Sequence, residues 1–165
     1  IRDSSHAEGQ STIASGDLSH AEGYQTYAEG YGSHAGGFAS SATGLYSRAT
    51  GRNAEAAGTA SFATGYGVVA DQDNSMSIGQ FNTLQTEGAL FIVGNGADAN
   101  MRSNAFEVHS SGNAVIHGDA VVEGTVLAGT YDVASTLGSL VSTVDSLQTV
   151  IAELQAQLEA LTGGE

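Results

Sequence analysis

Three histidines stand 14 residues apart, His6, His20 and His34, in the pentapeptides Ser5-His6-Ala7-Glu8-Gly9, Ser19-His20-Ala21-Glu22-Gly23 and Ser33-His34-Ala35-Gly36-Gly37. Neutral imidazole ligates transition metals, and its proton titrates near physiological pH. Residues two apart share a face of an extended chain, so Glu8 and Glu22 are expected beside His6 and His20. One reading is a ladder that holds a metal ion, an anion or ordered water. The other is a polar ladder facing solvent with no ligand. A second set, Tyr24, Tyr27, Tyr31, Phe38, Leu45, Tyr46, Phe62 and Tyr66, offers flat apolar faces. Such faces suit either a glycan or packing between chains and coils. Asp71-Gln72-Asp73-Asn74 has a calcium-like spacing, but the glycine and final glutamate of an EF-hand loop are missing, and a turn accounts for it. Gly94-Asn95-Gly96 lacks the third glycine of a dinucleotide loop, and there is no Gly-x-Ser-x-Gly elbow and no glycosylation sequon. No residue set supports catalysis, and no enzyme activity is expected.

The composition narrows the classes further. The chain of 165 residues has 18 acidic and 4 basic side chains, a net charge of -14. The basic residues are Arg2, Arg48, Arg52 and Arg102, too few to neutralise a nucleic-acid backbone. Cysteine is absent, which excludes disulfides and thiolate chemistry. Proline is absent too, so the 23 glycines are not collagen. No apolar run nears the roughly 18 residues of a membrane span. Ile1 in place of an initiator methionine is read as a sign of a processed product or a fragment.

The elements that position these side chains come from an internal repeat. Glycine recurs every seven residues, at Gly9, Gly16, Gly23, Gly30, Gly37, Gly44, Gly51, Gly58 and Gly65, and again at Gly79 after Gln72. Alanine stands two residues before each, from Ala7 to Ala63, and at Ala70. A helix is rejected, because glycine costs it about 1 kcal/mol each time. A short strand and a tight turn per unit fit better, with glycine supplying positive φ in the turn and alanine filling a narrow core. On that reasoning Gly37→Val should do far more harm than Ser40→Val. The histidine pattern doubles the period to 14, so each full coil has two strands and two turns. The expected fold is a flattened parallel β-solenoid of two sheets over residues 1–80. Its five to six coils, about 4.8 Å apart, make a rod roughly 25–30 Å long.

The register Ser-x-Ala-x-Gly, ending in Asn74-Ser75-Met76-Ser77-Ile78-Gly79, resembles the YadA-like head repeat of trimeric autotransporter adhesins. The Ser-His-Ala-Glu-Gly variant is more similar to repeats of phage and algal-virus tail fibres. The resemblance covers about residues 5–80. It implies a left-handed parallel β-roll with three chains around one axis. Where those heads often carry Val and Ile beside the alanine, this chain has largely His, Glu, Tyr and Thr. The column through His6, His20 and His34 continues as Arg48, Phe62 and Met76. Met76 lies in the segment most similar to the axis-facing strand of the adhesin heads, so the histidines are expected to face the axis as rings of three imidazoles. The alternative inner column is Ile13, Tyr27, Ser41, Glu55 and Val69.

Residues 81–131 read as a β-rich connector or shaft: Phe81–Glu87 as a link, then strands at Ala89–Val93, Ala105–His109, Ala114–His117 and Ala120–Leu127. The part from Arg102 to Gly124 resembles shaft modules of phage tail fibres. Over residues 132–165, apolar side chains at Val133, Leu137, Leu140, Val144, Leu147, Ile151, Leu154, Leu158 and Leu161 alternate steps of four and three. That is a coiled-coil seam, on a helix about 45 Å long ended by Gly163 and Gly164. Val144 and Ile151 at a with leucine at d lean toward two strands. Val141, Val150, Gln148 and Gln155 on the flanks suit three, and the roll resemblance points the same way. The expected protein is a homotrimeric fibre segment of a viral or phage tail, outside the cell or on the virion, that mediates or spaces attachment to a host glycan or protein receptor. The alternative is a bacterial trimeric autotransporter-type adhesin. Its partners are copies of itself and a host surface, with no nucleic acid, no membrane insertion and no cofactor beyond an axial ion.

Overall fold

The structure, a computed structural model, describes residues 3–84, 86–123, 127–128 and 131–162, with 127–128, 131–135 and 162 described by backbone alone. It divides into two compact units, Ile1–Asp119 and Ala120–Glu165.

The first unit is built from coils that each hold one five-residue and one two-residue strand. They run as β1 (His6–Gln10), β2 (Ile13–Ala14), β3 (His20–Tyr24), β4 (Tyr27–Ala28), β5 (His34–Phe38), β6 (Ser41–Ala42), β7 (Arg48–Arg52), β8 (Glu55–Ala56), β9 (Phe62–Tyr66), β10 (Val69–Ala70) and β11 (Met76–Gln80). The odd-numbered strands pair in parallel with like residues in register, His6 on His20, His20 on His34 and His34 on Arg48. The even-numbered strands form a separate parallel sheet, with Ile13 on Tyr27 and Ala14 on Ala28. This is a parallel β-solenoid of 14-residue coils, mainly β in class, as the doubled period requires.

Its interior is almost methyl-sized. Ala14, Ala21, Ala28, Ala35, Ala42, Ala49, Ala56, Ala63 and Ala70 are at most 1 % exposed. One inner column is serine, where the Ser19 and Ser47 hydroxyls donate to the Gly16 and Gly44 carbonyls at 2.6 and 2.7 Å. Another runs Thr26, Ser40, Ala54, Val68 and Asn82, all buried. Ser40 is fully buried and its hydroxyl donates to the Gly51 carbonyl, so Ser40→Val also falls on the interior. A buried methyl contributes only about 0.8 kcal/mol, so cohesion between coils rests heavily on the backbone ladder.

The repeat glycines divide into two sets. Gly9, Gly23, Gly37, Gly51, Gly65 and Gly79 lie inside the long strands at φ from +93° to +136°. Gly16, Gly30, Gly44 and Gly58 open the turns without positive φ; a Cβ there would strike the backbone of the next coil. The left-handed turn positions are mostly held by other residues, among them Leu18, Gln25, Ala39, Tyr46, Asn53 and Ala60.

The long sheet does not stop at Gly79. β12 (Ala89–Asn95) joins β11 in parallel, and β13 (Asn104–His109) and β14 (Ala114–Ile116) add antiparallel, giving nine strands among the described residues. The short sheet ends at β10, where the Asn82 side chain replaces the next strand: its Oδ1 accepts from Val69 N and its Nδ2 donates to Val69 O, both at 2.8 Å. Capping the edge in this way satisfies backbone groups that would otherwise invite another strand.

In the second unit, β15 (Leu127–Ala128) and β16 (Tyr131–Asp132) pair antiparallel, and α1 spans Val133–Thr162. The strand expected from Ala120 is not formed over Ala120–Glu123, and 124–126 lie outside the described residues. The same holds for Gly163 and Gly164, and for the side chain of Val133.

Candidate functional site

Strand alternation sends the alanines of the odd-numbered strands inward and their neighbours outward. The first outward column is His6, His20, His34, Arg48, Phe62, Met76 and Phe91; the second is Glu8, Glu22, Gly36, Thr50, Thr64, Ile78 and Val93. In the antiparallel part, Val108 and Phe106 pair with Phe91 and Val93, and Ile116 pairs with Phe106. The face is therefore graded. It is polar and titratable at the N-terminal coils and apolar from Phe62 onward, with these apolar side chains only partly covered.

The histidines do form a ladder. Their rings stack with centroids 5.1 Å apart for His6 and His20, and 4.9 Å for His20 and His34. Glu8 lies 3.5 Å from His6; Glu22 lies 3.8 Å from His20 and 3.6 Å from His34. Burial lowers the pKa of His34, helped by the neighbouring charges of Arg48 and His20 and opposed by Glu22. Stacked rings aim their nitrogens along parallel directions rather than at one point. Among the described residues no group of three or more acidic or imidazole side chains is arranged to hold a metal ion within the chain.

A further column begins just beyond the strand glycines: Tyr24, Phe38, Arg52 and Tyr66. Tyr24 and Phe38 stack at 5.1 Å, and the Arg52 guanidinium sits over Phe38 at 5.8 Å and over Tyr66 at 4.8 Å. Of the remaining expected aromatic set, Tyr31 and Tyr46 meet edge to face at 5.5 Å on the opposite turns, Leu45 is exposed beside them, and Tyr27 lies exposed on the short sheet. Phe62 belongs to the histidine column, with Arg48 over its ring at 6.0 Å. Asp71 and Asp73 border an open groove with Gly88, Leu90 and Ser110, and Asp73 accepts a bond from Thr59 N at 2.7 Å, as a turn residue does.

One cluster was not nominated from sequence. Glu107 is buried on the inward face of β13 and accepts from Asn104 Nδ2 at 2.7 Å. His109 Nε2 lies 2.8 Å from its Oε2 and His117 Nε2 lies 2.8 Å from its Oε1. Burial alone would raise the Glu107 pKa; the bonds from Asn104, His109 and His117, with the charge of His117, outweigh it and bring the pKa below the usual carboxylate value. The signal was present in Ala105-Phe106-Glu107-Val108-His109, whose alternation puts Glu107 and His109 on the face opposite Phe106 and Val108.

On α1 the seam positions from Leu137 to Leu161 are 44 to 80 % exposed. Among the described residues nothing covers this stripe. A scan against models of protein families finds no matching family, and a search of curated proteins finds no match.

Proposed function

We propose that this chain is a segment of a parallel homotrimeric fibre, of the kind carried on viral or phage tails, that mediates or spaces attachment to a host surface. The observation that carries the reading is the seam of α1. Leu137, Leu140, Val144, Leu147, Ile151, Leu154, Leu158 and Leu161 are left open to water by the single chain. Each would contribute up to about 1.5–3 kcal/mol if covered, and copies of the same helix are the natural cover. The apolar end of the graded face, Phe62, Met76, Ile78, Phe91, Val93 and Phe106, supports the same partner. In this reading the solenoid is the left-handed β-roll of the head repeats it resembles, the first two outward columns meet at the trimer axis, and α1 forms a trimeric coiled coil. The histidines then form three rings of three imidazoles, able to share an ion or water. The role is structural rather than enzymatic, and its place is extracellular, on an appendage. A second reading, a surface adhesin of the bacterial trimeric autotransporter type, uses the same architecture and rests on the Ser-x-Ala-x-Gly register. Crosslinking of the intact chain through cysteines placed at Leu140 tests the parallel arrangement. Symmetric Leu140 pairs support it, and an absence of crosslinked chains counts against it.

A further inference from the structure

We infer that the ladder of Tyr24, Phe38, Arg52 and Tyr66 is a binding site for an acidic polysaccharide, one bearing carboxylate or sulfate groups on pyranose rings. The chain carries a net charge of -14, so a guanidinium would be expected to lie against one of its many carboxylates. The Arg52 guanidinium instead lies against two rings, Phe38 and Tyr66, and forms no ion pair or hydrogen bond among the described residues. Arg102 offers the contrast: it too lies against a ring, Phe81, but donates to the carbonyls of Gly67 and Asn82 at 3.0 Å each. Rings above and below hold a guanidinium in place without using its donors, which remain in its own plane. Those donors match a carboxylate or sulfate in the bidentate manner that arginine favours.

The flanking rings supply the rest of a saccharide site. Tyr24, Phe38 and Tyr66 are 37, 45 and 38 % exposed. Phe38 is sandwiched by Tyr24 and Arg52, and Tyr66 by Arg52 and Phe81, so ring edges and the tyrosine hydroxyls are what they turn to solvent. Such a row of apolar ring edges packs against the C–H groups of a sugar chain laid along it, and a tyrosine hydroxyl bonds to the sugar's rim. Parallel pairing repeats these positions once per coil, so successive sugars of one chain find successive rungs, with the anionic group on the Arg52 rung. A neutral polysaccharide would leave the guanidinium desolvated without an acceptor, and is disfavoured.

The inference deepens the attachment reading above, and the experiment separates the two. Binding of the intact chain to hyaluronan (carboxylate), dextran sulfate (sulfate) and unmodified dextran is measured by titration calorimetry, with circular dichroism and native mass confirming that every variant keeps its fold and assembly. Wild type should bind at least one of the acidic polymers and not dextran, and which one identifies the anionic group. Arg52→Gln should weaken that binding at least tenfold. Arg52→Lys, which keeps the charge but not the planar fork, should recover only part of it. Equal binding by Arg52→Gln and wild type overturns the assignment. So does a chain that assembles normally yet binds neither acidic polymer, an outcome that leaves the fibre reading standing.

Discussion

Replacing Gly30 by alanine sets two physical effects of opposite sign against each other. Gly30 does not have positive φ, so alanine loses nothing in backbone strain. By reducing the freedom of the unfolded chain, the change would then stabilise by about 0.4–1 kcal/mol. The structure opposes this. A Cβ at Gly30 would collide with the Gly44 carbonyl and sit 3.0 Å from the Thr43 carbonyl oxygen, both backbone atoms of the next coil. The Gly44 carbonyl cannot move aside singly, because it already accepts from Ser47 N at 3.3 Å and from the Ser47 hydroxyl at 2.7 Å. Opening the stack at one rung costs about 1–3 kcal/mol, as overpacking elsewhere does. The midpoints of these two ranges leave a net destabilisation of about 1.3 kcal/mol, between limits of about 0 and 2.6. Gly138 is the control. It lies in α1 with open space at its Cβ, so Gly138→Ala should stabilise the helix by about 1 kcal/mol. Urea unfolding followed by circular dichroism, at one protein concentration, gives both signs, and hydrogen exchange over residues 27–45 localises the first. A Gly30→Ala variant as stable as wild type would refute close stacking as the reason for the seven-residue glycine repeat.

Leu147→Asp puts a carboxylate into the middle of the exposed seam of α1, and the account expects the variant to sediment as a smaller species than wild type. Glu107→Gln keeps one acceptor oxygen but turns an amide N–H toward a former donor, costing about 2 kcal/mol. Since the Glu107 pKa lies below its ordinary value, its stabilisation is complete above about pH 4.3, the unfolded value, and is lost as pH falls through the folded one. Thermal melts of the variant and wild type should differ at pH 6 and converge toward pH 3. For His34 the lowered pKa means the folded chain resists protonation, so stability is lost as pH falls below about 6.5. Hydrogen exchange of residues 5–40 should be faster at pH 5 than at pH 7.5, after correction for intrinsic rates, while α1 is unchanged. Equal protection would argue against the axial placement of His6, His20 and His34.

Much of the solenoid was legible because its constraints are local and repeated. Alanine two before every glycine fixes a face, and the return of Ser-His-Ala at 14 residues fixes the coil. The two glycine sets were not separable from composition: both leave no room for a Cβ and both occupy the same place in the seven-residue pattern, but Gly23 also needs its positive φ and Gly30 does not. The expected contrast between Gly37→Val and Ser40→Val took no account of an inner serine column, which is foreign to cores built of larger apolar residues. The Arg52 ladder and the Glu107 cluster join residues 14 or more positions apart and residues across a hairpin. The strand register decides such contacts, and it becomes visible only when β7 is stacked on β5 and β14 on β13.

The account rests on association of identical chains, and the mass of the assembled particle tests it most directly. Native mass spectrometry with sedimentation equilibrium at micromolar concentration should give three times the chain mass of 16.6 kDa, unchanged on dilution through that range. A particle of 16.6 kDa under those conditions would mean that the stripe from Leu137 to Leu161 stays open to water, and would contradict the fibre reading.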